Sequence, residues 1–203
     1  MRDYHLKTIL DAEIKEINYI KKIENINLNN FKNFLYLTYN KDFYNNIQYE
    51  ISTTKKFYNK KIYMIMIGCG YLPLSLISYC NFYPNGKFIG LDINEKAILW
   101  SNNLKSMLNI KNVLFECEDG LKYNYVKADT ILIAAMVKNK IKMLNRIMDT
   151  CKSGTYVFVR LLYKVDYNII KKLDNEKIKI IFTIDKNTYP QKEDYDLIIL
   201  KIV

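Results

Sequence analysis

Three short clusters in the middle of the chain have the residue types and spacing of a nucleoside-recognition site. The first is Gly68-Cys69-Gly70, followed by Tyr71-Leu72-Pro73. Two glycines around one residue let a chain turn tightly after a strand and let a ligand approach the backbone. A dinucleotide loop needs a third glycine at position 73, beneath the pyrophosphate. Proline stands there instead. Proline suits a helix start but removes one N–H from an anion cradle. The loop therefore predicts a nucleoside ligand without a diphosphate. A purely structural turn is the plainer reading of the two glycines alone. The second cluster is Gly90-Leu91-Asp92-Ile93-Asn94. Asp92 falls about 20 residues past the glycines, where a carboxylate accepts ribose hydroxyls. Capping of the next helix is the alternative. The third is Glu116-Cys117-Glu118-Asp119-Gly120, where an acid can accept the exocyclic amine of adenine. Its alternative is a solvated turn.

The elements that must position these clusters follow from the hydrophobic pattern. Residues 8–27 place Leu10, Ile14, Ile17, Ile20 and Ile23 at helical spacing. Further helices are predicted at 30–39 and 42–58, and no Gly or Pro interrupts residues 1–60. We read 1–60 as a helical N-terminal cap and 61–203 as the main domain. Beyond Lys61 short apolar strands alternate with helices. Strands are predicted at 62–67, 87–92, 113–117, 130–135, 155–160, 177–184 and 195–202. Helices are predicted at 72–82, 94–108, 138–149 and 167–173. That alternation indicates an α/β fold with a mostly parallel seven-stranded sheet. The last two strands have no long crossover between them, which predicts a C-terminal antiparallel hairpin.

Bulk properties narrow the function. The only histidine, His5, lies near the N-terminus, which removes most triads and His-based metal sites. The four cysteines, Cys69, Cys80, Cys117 and Cys151, form no CxxC pair. We expect no metal, free thiols and a cytoplasmic location. Residues 62–86 carry no charge and could by length span a bilayer. Their central glycines and Pro73 fit a strand–turn–helix better, and no membrane association is expected. Net charge is +10, yet only Arg2, Arg146 and Arg160 are arginine. The lysines are dispersed, so RNA ranks below a small molecule as partner. Arg160 closes a strand, where it suits either a bidentate carboxylate clamp or an ion pair. Trp100, Met64, Met66 and Met136 read as packing residues.

The three clusters together resemble the binding pattern of class I S-adenosylmethionine (SAM) enzymes, from about Lys61 onward. The resemblance implies a Rossmann-like fold, with SAM as substrate or group donor. The run Ile67-Gly68-Cys69-Gly70-Tyr71-Leu72-Pro73-Leu74-Ser75 is similar to the G-x-G-P-L-P-L-[ST] loop of the nicotianamine synthase family. Only Tyr71 departs from it. Ile131-Leu132-Ile133-Ala134-Ala135-Met136-Val137 resembles that family's fourth-strand FLAALV segment, and Thr155-Tyr156-Val157-Phe158-Val159-Arg160 its fifth strand. The resemblance implies SAM contacts from Gly68, Cys69, Gly70, Tyr71, Pro73, Asp92, Ile93, Asp119, Gly120, Ala134 and Ala135.

In that family SAM donates its 3-amino-3-carboxypropyl arm to an amine, leaving 5′-methylthioadenosine. Tyr and Glu that precede the first strand serve the acceptor, and the stretch from Phe43 to Glu50 corresponds. Tyr44 and Glu50 are the catalytic candidates implied there, with Arg160 beside them. The family carries a longer helical N-terminal region than residues 1–60. This implies a small amine or amino-acid acceptor, or cyclisation of SAM's own arm. The competing expectation is a SAM methyltransferase. Aminoglycoside-resistance 16S rRNA methyltransferases also follow GCG with a residue pair and Pro-Leu. A third is a SAM-binding module without catalysis.

Overall fold

A computed structural model describes residues 41–58, 61–162, 176–190 and 195–203, with Asn18 and Ile170 as isolated positions. The helices expected at 8–27, 30–39 and 167–173, with His5 and Arg2, lie outside the described residues or rest on those single positions. The described elements are α1 (Lys41–Thr54), a 3-10 turn (Lys55–Phe57), β1 (Tyr63–Ile67), α2 (Leu74–Phe82), β2 (Lys87–Asp92), α3 (Glu95–Met107) and β3 (Val113–Cys117). They continue with β4 (Thr130–Ile133), α4 (Lys140–Thr150), β5 (Tyr156–Leu161), β6 (Ile178–Ile184), a 3-10 turn (Lys186–Thr188) and β7 (Asp196–Ile202).

The seven strands form one sheet in the order β3-β2-β1-β4-β5-β7-β6. β1 through β5 run parallel, and β7 pairs antiparallel with both β5 and β6. The expected fold class, including the closing hairpin, is the one observed. β7 lies inside the sheet rather than at its rim. In register, Ile67 sits beside Leu91 and Ile133. The carboxyl ends of β1, β2 and β4 are therefore level, and the loops that follow them emerge together. The chain order reverses between β1 and β4, where open α/β sheets place their ligands.

Side chains alternate across the sheet with period two. Met64, Met66, Phe88, Leu132, Phe158, Leu197 and Ile199 pack on one face with Ile47 and Ile51 of α1 and Leu76 and Tyr79 of α2. Ile65, Ile67, Ile131, Ile133, Val157, Val159 and Ile198 pack on the other, with Met143, Leu144 and Ile147 of α4. Strands buried on both faces must be apolar throughout, which is why β1 and β4 read as unbroken hydrophobic runs. The same alternation places Arg160 on the face of Phe158, beneath α1. Met64 and Met66 are core residues as expected, whereas Met136 is half-buried.

Several boundaries shift by one to four residues from expectation, the largest at α1, which ends at Thr54 rather than at 58, and two of the shifts shape the site. α2 begins at Leu74 rather than at 72, because Pro73 occupies the N-cap position outside the helical region. β4 stops at Ile133, and the Ala134 N–H turns back to Ile67 O (3.0 Å).

Candidate functional site

The Gly68-Cys69-Gly70 loop is held from within. The N–H groups of Gly68 and Cys69 both donate to Leu91 O (2.8 and 3.0 Å). Gly70 N–H donates to Asp92 Oδ2 (2.8 Å), and Ser101 Oγ–H donates to Gly70 O (2.9 Å). Gly68 and Gly70 have φ of 76° and 70°, a left-handed conformation in which a Cβ is strained. The amides that a dinucleotide loop aims at phosphate are thus directed at β2. Tyr71 and Pro73 are buried at the start of α2, and Asn94 Nδ2 donates to Tyr71 OH (3.0 Å).

Asp92 ends β2 and is half-exposed. Each carboxylate oxygen accepts one backbone N–H, from Gly70 (2.8 Å) and from Asn94 (3.0 Å). An ionised carboxylate has about four acceptor positions, so two remain for ribose hydroxyls. The capping role falls to Asn94, whose side chain accepts from Lys96 N–H. Next to Asp92, Ile93 is 76% exposed, an apolar surface that a flat base can cover. Asp119 accepts the Leu121 N–H (2.9 Å) and starts a turn that Lys122 and Tyr123 close onto its carbonyl. It is half-exposed and keeps acceptor positions for an amine. Gly120 is packed from behind, where a Cβ would come within 2.9 Å of Ile67. Ala134 and Ala135 are half-buried at the mouth of the loop after β4. Lys140, which the sequence reading missed, holds that loop, its ammonium donating to Ala135 O (2.8 Å) and Val137 O (2.7 Å). No local motif announces that role. Among the described residues no cluster of His, Cys, Asp or Glu could hold a metal, and no helix is long and apolar enough to cross a membrane.

The second half of the site lies under α1. Glu50 and Arg160 meet there, with side-chain exposures of 0% and 5%. Arg160 Nε donates to Glu50 Oε2 (3.1 Å) and Nη2 to Oε1 (2.8 Å), while Nη1 donates to Ser75 Oγ (2.9 Å) in the first turn of α2. Tyr79 OH donates to Glu50 Oε1 (3.1 Å). Tyr189 and Tyr195 donate to Oε2 over longer distances of 3.4 Å. Tyr58 OH donates to Tyr79 OH (2.9 Å). The Arg160 guanidinium also lies 5.0 Å from the Tyr195 ring centroid, in cation–π range. Burial works against the charge of Arg160, but the Glu50 carboxylate outweighs it and its pKa is well raised. Burial also pushes the phenols of Tyr58 and Tyr79 well above the usual tyrosine range.

The structure brings Glu50 and Arg160 together and sets Tyr44 apart. Tyr44, like Trp100, packs against the cluster that includes Tyr71, Leu72 and Leu74. Six residues of helix turn its side chain away from Glu50's at about 100° per residue. The phenols around Glu50 come instead from Tyr79, Tyr189 and Tyr195, none of which the sequence reading singled out. The two readings of Arg160 meet in one contact: it clamps a carboxylate with two prongs, and that carboxylate is the buried Glu50 rather than a group at the sheet's rim.

A family model for a methyltransferase domain matches residues 59–198. A search of curated proteins returned no match. Among solved structures, a point variant of MtNAS in complex with S-adenosylmethionine superposes at TM-score 0.77 with 14% identity, covering 100% of this chain and 76% of that chain. MtNAS in complex with MTA and tNA gives 0.77 at 15% identity, covering 100% and 74%. A protein assigned as an rRNA methylase from Clostridium thermocellum gives 0.60 at 16% identity, covering 78% and 96%. At such identities the likeness is one of fold. The chain belongs to the methyltransferase domain family, and its group donor is S-adenosylmethionine.

Proposed function

We propose that the protein transfers the 3-amino-3-carboxypropyl arm of SAM to a small amine, or cyclises that arm, and releases 5′-methylthioadenosine. One observation carries this reading. The space under α1 holds a closed acidic and aromatic cluster, with Glu50 ringed by Arg160, Tyr79, Tyr189 and Tyr195. A cluster of that chemistry suits a cationic amine better than a nucleobase. The match of Gly68 to Ser75 with the nicotianamine synthase loop adds support, as does the fold likeness to MtNAS over the whole chain.

In this reading SAM supplies a sulfonium with three carbons open to substitution. The protein selects one by aligning the nucleophile with it. Asp92, Ile93 and Asp119 hold the nucleoside, and the loop from Gly68 to Pro73 lies under it with Ala134 and Ala135. The two long phenol bonds to Glu50 Oε2 are the weakest in the cluster. The acceptor amine replaces them and is held there, while Arg160 keeps Glu50 in place. The amine nitrogen bonds to the carbon of the arm, the carbon–sulfur bond breaks, and its electron pair stays on sulfur as a thioether. Glu50 takes one proton from the bound ammonium before attack, which frees the lone pair that forms the bond, and the product nitrogen stays protonated.

A second reading is methyl transfer, including to 16S rRNA. It draws on the family's own description and on the likeness to the rRNA methylase. Incubation with SAM and a panel of amines, followed by mass spectrometry of the nucleoside product, separates the two. 5′-Methylthioadenosine supports the first; S-adenosylhomocysteine overturns it.

A further inference from the structure

The site occupies one edge of the sheet, and the opposite edge carries a different pattern. Every strand has an exposed lysine at or just outside its end there. In spatial order these are Lys111 before β3, Lys87 opening β2, Lys61 before β1, Lys127 before β4, Lys152 before β5, Lys201 in β7 and Lys177 before β6. Lys201 belongs to the row because β7 is antiparallel and places it opposite Tyr156 at the start of β5. Lys105, half-buried in the last turn of α3, lies on the same side. Among the described residues only Asp129, Asp149 and Glu176 bring acid to this edge, and Asp129 is engaged by Lys152 (2.6 Å) and by Tyr63 N–H. The edge bearing the site is mixed: Asp92, Glu95, Glu118, Asp119, Asp185 and Asp196 are interspersed there with Lys96, Lys122, Lys138, Lys142 and Lys186.

We infer that this lysine row is a docking surface for the phosphodiester backbone of a single-stranded nucleic acid. Charge, length and shape all favour that occupant. The first is charge: a line of ammonium groups with few acids between them is the electrostatic footprint of a polyanion site. Lysines do offset the partial negative charge of helix C-termini, which covers Lys87, Lys105, Lys111 and Lys152 at the ends of α2, α3 and α4, but Lys127, Lys177 and Lys201 flank no described helix end. The second is length. Six steps of about 4.8 Å give a row of about 29 Å, comparable to eight or nine phosphates of one strand at about 3.4 Å rise. The third is shape. Adjacent strands rotate by about 20–25°, so the row winds through more than 100° from Lys111 to Lys177. A flat anionic bilayer meets only its middle, whereas a flexible single strand follows the turn. The surface lies on the far side of the sheet from Asp92 and Glu50. A bound strand therefore leaves the donor and acceptor sites open, so the inference does not depend on the reaction proposed above.

The test is binding of fluorescein-labelled oligouridylate and oligothymidylate of about 20 nucleotides, followed by anisotropy across a salt series. With five to seven contacts, log Kd should rise with log salt with a slope of about 3.5–5. The triple variant Lys87→Glu, Lys111→Glu, Lys127→Glu should bind at least tenfold more weakly and lose about 2 from that slope. A control with the same charge change on the other edge, Lys138→Glu, Lys142→Glu, Lys186→Glu, should stay within threefold of the parent. SAM binding measured on all three proteins reports that each is folded. Equal losses in both triple variants would show a mere net-charge effect and overturn the inference. So would a salt slope near zero for the parent, or binding to phosphatidylserine vesicles without binding to either oligonucleotide.

Discussion

Glu50 and Arg160, 110 positions apart in sequence, form a two-pronged ion pair sealed between α1 and β5. Removing one partner leaves the other charged and buried, at a cost of about 3–5 kcal/mol. Arg160→Ala and Glu50→Ala should each lower the urea midpoint accordingly. Replacing both, as Glu50→Leu with Arg160→Met, should recover more than half of either single loss, because no buried charge remains. A double-variant stability equal to the sum of the single losses would disprove the coupling.

Asp92 holds the glycine loop to β2 and faces the ribose position. Asp92→Ala removes the acceptors of Gly70 and Asn94 N–H as well as the hydroxyl contacts. SAM affinity, measured by calorimetry, should fall at least tenfold, about 1.4 kcal/mol or more. Affinity unchanged from the parent would remove Asp92 from the site.

Gly68 and Gly154 both have positive φ, 76° and 87°, but their surroundings differ. A Cβ on Gly68 would lie 2.5 Å from Val137 Cγ2, whereas one on Gly154 meets nothing within 4 Å. Gly154→Ala should cost only the left-handed backbone penalty, about 1–2 kcal/mol. Gly68→Ala should cost more and also weaken SAM binding, since the loop must shift. Thermal melts with and without SAM compare the two directly.

Tyr79 is fully buried, and burial raises its pKa well above 10. The unfolded chain releases that proton near pH 10, while the folded chain retains it. The stabilising difference is complete below pH 10 and is lost as pH rises toward the folded value, at about 1.4 kcal/mol per pH unit for this group. Phenolate absorbance should show surface tyrosines ionising near pH 10. Tyr79 should ionise later, in step with the loss of tertiary structure. Tyr79→Phe should flatten the alkaline limb, and an unaltered limb would refute the assignment.

The fold was legible because its signals are local. Lys87–Asp92 and Val113–Cys117 are bounded as expected, since polar or turn-forming residues flank short apolar runs. Gly68, Gly70, Asp92 and Asp119 end or follow strands at spacings that topology dictates, so the loops at the carboxyl ends of β1, β2 and β3 could be placed from sequence. The acceptor half could not. Tyr79, Tyr189 and Tyr195 converge on Glu50 from 29, 139 and 145 positions away, and among 18 tyrosines none is distinguished by type. Tyr44 was separable in principle: its six-residue offset from Glu50 puts the two on different sides of any helix.

The interior position of β7 also sets an order of assembly during synthesis. β6 leaves the ribosome before β7, yet in the sheet it pairs only with β7. Until residues 196–202 are made, β5 presents an open edge to solvent and β6 has nowhere to dock. Arg160 opposes Leu197 across that seam. The wall that shuts Arg160 and Glu50 away from water is therefore among the last parts of the sheet to form. A nascent chain halted before β7 should expose this edge to chaperones, and to other chains emerging beside it.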